Sequence, residues 1–133
     1  MPFVIAFFTV AVVFGVLDFF WLRWAVPNLY QPVIGSIMAE NVRFGAAGVF
    51  YVVYLFGMLW FAVRPGLRAG SVKVAVTNGT LLGGLCYATF DLTSQAVMAV
   101  WATHITIADI AWGAFATAVA SGAACWLTLR VTN

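Results

Sequence analysis

The chain has 133 residues, 65% of them hydrophobic and 8% charged, with a formal net charge of +2 and a mean hydropathy of +1.05. A soluble domain carries about 25% charged residues, so six Lys and Arg with four Asp and Glu cannot cover a water-facing surface. Lipid is the expected solvent, and the absence of any basic run or basic-aromatic stripe excludes a nucleic-acid partner.

The pattern predicts an all-α fold, an integral membrane four-helix bundle. Four spans of about 20 residues use roughly 80–90 positions, which leaves a single transmembrane domain over residues 1–133 and room for nothing else. The first span is expected at residues 3–22, broken only by Thr9 and Asp18. No Lys or Arg precedes it and no small-x-small cleavage pattern follows, so it reads as a span and not as a cleavable signal. Residues 23–45 are semi-polar and include Pro27 and Pro32. Leu29, Tyr30, Val33, Ile34, Ile37 and Met38 recur there at helical spacing, which predicts an amphipathic helix at the membrane interface between spans 1 and 2.

The second span is expected at residues 46–63, stopped by Arg64-Pro65-Gly66. The third is expected at 74–98 and the fourth at 107–129. Arg64, Arg68, Lys73 and Arg130 outnumber Arg23 and Arg43 across the membrane, so both termini are expected in the cytoplasm. Gly79-x-x-x-Gly83, the line Gly113, Thr117, Ser121 and the line Ala116, Ala120, Ala124 predict close helix packing, within one chain or in a homodimer. Cys86 and Cys125 sit at different depths and predict no disulfide. No residue pattern predicts a metal site or a cofactor.

The chemistry lies in three carboxylates. Asp18, Asp91 and Asp109 all fall inside apolar segments, where each ionised group costs about 2.5–3.5 kcal/mol at the bilayer centre. At 1.5 Å per residue, Asp18 and Asp91 lie roughly 22–26 Å from the same membrane face. Asp109, near the start of a span that begins at the opposite face, meets them at that level. Trp21 stands at i+3 from Asp18 and Trp112 at i+3 from Asp109. Tyr87, Ser94 and Gln95 share the face of Asp91. Tyr30, Gln31 and His104 approach from the loops on the same side. Acidic groups among Trp and Tyr rings suit an amine or quaternary cation. Like charges in a low dielectric disfavour full ionisation, so the cluster is also a candidate proton carrier.

Structural roles compete with these. Thr106 and Asp109 have the spacing of a capping box. Asp91 could cap a new helix that splits the third span. Asp18 could pair with Arg23 or Arg43, and His104 could be a plain loop residue.

Several segments resemble one bacterial family of predicted membrane proteins, domain of unknown function 2177. They are Leu17-Asp18-Phe19-Phe20-Trp21-Leu22, Tyr30 with Gly35, Phe50-Tyr51-Val52-Val53-Tyr54, the run from Gly83 through Tyr87, Phe90 and Asp91 to Thr93, and Asp109-Ile110-Ala111-Trp112-Gly113. The resemblance covers nearly the whole chain. It implies a multi-pass protein of the bacterial inner membrane and no particular activity. It puts Asp18, Tyr87, Asp91, Thr93, Asp109 and Trp112 on family motifs, and Ser94 stands where the family usually has Asn.

Three functions compete. The first is binding or transport of a small amphiphilic or cationic ligand, or a lipid, in a carboxylate- and aromatic-lined pocket of the outer half, with proton coupling. The second is an enzyme using paired aspartates as acid and base on a lipid-soluble substrate. The third is an accessory subunit of a larger membrane complex.

Overall fold

The computed structural model describes residues 2–132, and every regular element among them is helical. Helix α1 (Pro2–Ala25) is followed without a break by a π-helical turn (Val26–Tyr30), the short α2 (Gln31–Ile34) and a 3-10 turn (Gly35–Ile37). After a loop come α3 (Phe44–Met58), a second π-helical turn (Leu59–Val63) and α4 (Arg64–Ala69), again as one rod. Helices α5 (Val72–Val97) and α6 (Thr103–Thr132) complete four long antiparallel rods. Three rods are long and apolar enough to cross a membrane, those spanning Pro2–Ile37, Phe44–Ala69 and Thr103–Thr132. The chain is therefore an all-α, multi-pass membrane bundle.

Helix α5 is long enough to span but falls below the other three in apolarity. Its Thr, Asn, Asp and Gln residues are the reason. Several of those groups are satisfied within the helix: the Thr80 hydroxyl donates to the Val76 carbonyl at 2.8 Å and Thr89 to Leu85 at 2.7 Å. A hydroxyl bonded in this way is tolerated against lipid. The rest of α5 depends on its pairing with α6, the most extensive helix contact in the molecule.

That pairing rests on small residues. A Cβ at Gly79 would sit 2.9 Å from the Thr117 carbonyl oxygen, and one at Gly83 would sit 2.7 Å from Thr117 Oγ1. The backbones meet because neither position carries a side chain. On the opposite flank α1 offers Ala6, Val10 and Phe14, one helical line, all buried in one core cluster with Ala116, Ala120 and Ala124 of α6 and Tyr54, Leu55 and Met58 of α3.

Two expectations about the rods need correction. The amphipathic stretch after span 1 is a continuation of α1 and not a separate helix. Its apolar side does pack, Leu29 with Ala25 and Ile105, while Gln31 and Pro32 stay exposed. The chain also does not break at Arg64-Pro65-Gly66. Pro65 has no N–H to give to the Phe61 carbonyl, but the π-helical turn loosens the backbone there and Asn78 Nδ2 donates to that carbonyl at 3.1 Å. The real stop is Gly70, whose φ of +61° only glycine adopts without strain. Ser71 then caps α5, accepting from Val74 N at 3.3 Å.

The rods are not packed evenly along their length. Residues 44–50 of α3 are exposed, and the helix settles into the bundle only from Tyr51 and Tyr54 onward. It leans away from α5 at the end where the carboxylates lie.

Candidate functional site

Asp109, on the first turns of α6, is buried at 7% exposure. It accepts a hydrogen bond from the Tyr30 hydroxyl, which the continuation of α1 carries over the end of α6. Trp21 Nε1 donates to that same hydroxyl at 3.3 Å. The ring of Trp21 lies flat on Trp112, with centroids 4.8 Å apart and planes 6° off parallel. One turn of α1 and one turn of α6 are thereby clamped together, with Asp18 on the first and Asp109 on the second.

Asp18 is half-buried, next to the Trp112 indole and within the field of Asp109. The Trp112 N–H itself is buried without a partner in bonding geometry. Asp91 comes from α5 on the other side of α6. It is 1% exposed, neighbours Asp109, and has an Oδ1 with no hydrogen-bond partner. The three carboxylates form a row across α6, from Asp18 through Asp109 to Asp91. They do not gather round a point, and no group of metal-ligating side chains is placed to hold an ion among the described residues.

The structural alternatives for these aspartates do not hold. Helix α6 begins at Thr103, so Thr106 lies inside it and caps nothing. Its hydroxyl donates to Gln95 Oε1 at 2.7 Å and accepts from Trp101 Nε1 at 2.9 Å. Helix α5 runs unbroken past Asp91 to Val97, so Asp91 caps no new helix. Among the described residues, Asp18 forms no ion pair with Arg23 or Arg43; its neighbours are Trp112 and Asp109.

The other sequence candidates divide. Tyr30, Trp21 and Trp112 join the row. Tyr87 packs its ring on Gly113 and meets Tyr54 edge-on at 6.4 Å. Gln95 does not reach the carboxylates, because Thr106 and Thr103 hold it at the end of the α5–α6 hairpin. His104 is exposed and stands apart from the row.

Where α3 leans away, a cavity of about 470 Å³ opens between α3, α5 and α6. Its rim is Phe50, Cys86 and Phe90, all exposed to the bundle's surroundings. Its depth is Tyr54, Tyr87, Asp91 and Asp109. Tyr54 is fixed there by a 2.7 Å hydrogen bond between its hydroxyl and Thr117 Oγ1. Phe50, Tyr54, Cys86 and Phe90 escaped the sequence reading of the site. The aromatic run Phe50-Tyr51-x-x-Tyr54 in the middle of α3 was the available signal.

The arrangement is an apolar slot closed at its inner end by two carboxyl groups. Charge in so dry a place has to be neutralised, by a proton or by a bound cation, and no basic side chain among the described residues lines the slot. A cationic group on an apolar tail matches both halves of the slot, and the rings of Tyr54 and Tyr87 suit a cation as well as a hydrocarbon.

Residues 3–126 match the model of a family described as predicted membrane protein, DUF2177. No curated protein and no solved structure matches the chain.

Proposed function

We propose, from the premise that this chain belongs to the DUF2177 family of predicted membrane proteins, that it binds or carries a cationic amphiphile within the membrane. The observation that supports this most is Asp91: a carboxyl 1% exposed, with an unpartnered oxygen, beside a second carboxyl at the end of an apolar cavity that opens toward lipid. Its ammonium would lie at Asp91 and Asp109, and its tail along Phe50, Tyr54 and Phe90. The basic residues at the far end favour the orientation expected from the sequence, with both termini cytoplasmic and the slot in the outer half of a bacterial inner membrane.

Dodecylammonium and dodecanol share a tail and differ in the head. Added to the purified protein in bilayer nanodiscs, dodecylammonium is expected to raise the melting temperature by several degrees, as a ligand binding only the folded state does. Dodecanol is expected to leave it within a degree or so. An equal response to both would mean that the carboxylates read no charge. The unlike surroundings of Asp91 and Asp109 also suit an acid–base pair; chemical conversion of the added amine, read by mass spectrometry in the same samples, would favour an enzyme instead.

A further inference from the structure

The opposite end of the bundle holds the reverse chemistry. Arg64, Arg68, Lys73 and Arg130 gather there, while all four acidic side chains (Asp18, Glu40, Asp91 and Asp109) lie in or beside the other half. These cations have no acidic side chain at their own level to pair with. Arg64 lies over the Trp60 ring with its guanidinium carbon 3.9 Å from the centroid, and Arg130 lies over Trp126 at 5.4 Å. Each pair holds a cation on a tryptophan ring, a residue enriched where a bilayer meets water.

Arg64 is also the divide between two adjoining cavities. One, of about 350 Å³, runs up the side of the bundle and is walled by Phe3, Phe56, Leu59 and Trp60. The other, of about 280 Å³, lies at the end of the bundle and is lined by Arg64, Arg68, Thr128 and Thr132 among others. Thr128 is fully buried and its hydroxyl has no hydrogen-bond partner. An apolar groove therefore adjoins a basic pocket, and the two share Phe3 and Arg64.

We infer that this is a seat for an anionic phospholipid, with its phosphate between Arg64 and Arg68 and one acyl chain in the Phe3–Phe56–Trp60 groove. Two guanidinium groups bind phosphate oxygens through paired donors, and basic pockets between membrane helices take such headgroups. The inference does not depend on the carboxylate slot.

The test titrates detergent-solubilised protein with phosphatidylglycerol, phosphatidylcholine and inorganic phosphate, reading the melting temperature. Phosphatidylglycerol is expected to raise it by several degrees, and the other two to leave it unchanged. Arg68 is exposed, so Arg68→Gln keeps the fold and is expected to weaken the response at least several-fold; Arg64→Gln/Arg68→Gln removes it. Lys73→Gln, an exposed cation at the same end but outside both cavities, is expected to respond as wild type. An equal rise with phosphatidylcholine or with phosphate, or a full response in the double Arg variant, would overturn the inference.

Discussion

Asp91→Asn is expected to weaken dodecylammonium binding at least ~10-fold, about 1.4 kcal/mol, without lowering the stability of the free protein. Asparagine has the same shape as aspartate and carries no charge. In the free protein, Asp91 brings a carboxyl into a buried place beside Asp109 and leaves one oxygen unpartnered. Removing such a group costs no hydrogen bond that the oxygen was making, and the new amide can donate to Asp109. The unliganded melting temperature should therefore stay level or rise. A helix cap or a structural ion-pair partner would behave in the opposite way, losing stability with no effect on ligand. Asp18→Asn should weaken binding less, because Asp18 stands across α6 and does not line the cavity. Titrations of both variants against the amine, with melting temperatures at each point, give the two readings together.

The second large effect is a pair of substitutions with opposite signs. Gly83→Ala is expected to destabilise the bundle by about 1–3 kcal/mol, and Gly84→Ala to leave it unchanged or stabilise it by up to about 1 kcal/mol. The added methyl is the same in both. At Gly83 it would press on Thr117 Oγ1 at 2.7 Å and on the Gly113 backbone, which cannot swing aside. At Gly84 the nearest atom is Ala114 Cβ at 3.8 Å, ordinary contact distance. Only the helix-propensity gain of alanine over glycine then remains. The Gly83 variant should also bind the amine less well, because pushing α5 off α6 parts Asp91 from Asp109. Thermal unfolding of the two variants in one detergent checks the sign; equal melting temperatures would mean that α5 and α6 do not meet at Gly83.

The helices were legible because lipid-facing sequence allows little else: uninterrupted apolar runs must satisfy their own backbones as helices. That Asp18, Asp91 and Asp109 lie at one level along the bundle was legible too, since rise per residue is fixed and the rods alternate in direction. Tyr30 on Asp109 and the Trp21–Trp112 stack follow from that level. What the sequence hid depends on how rods lean and how backbones bend. Pro65 looks like a stop, and only Asn78, thirteen residues later, supplies the donor that lets α4 continue. Gln95 shares a face with Asp91, yet Thr106 on the next helix captures it. The cavity exists because the first turns of α3 stand away from α5, a matter of tilt that no local pattern carries. Asp109 had the spacing of a cap, and its partner proved to be a tyrosine 79 positions earlier in the chain.

Cys86 offers the most direct test. Its thiol is exposed on the rim of the slot, whereas the other cysteine, Cys125, is buried. Maleimide labelling of Cys86 reports whether a ligand fills the space in front of Asp91. If the slot binds cationic amphiphiles through its carboxylates, dodecylammonium slows that labelling in the wild-type protein, dodecanol at equal concentration does so far less, and Asp91→Asn abolishes the difference. Labelling that proceeds at the same rate with and without the amine, or is slowed equally by the alcohol, would contradict it.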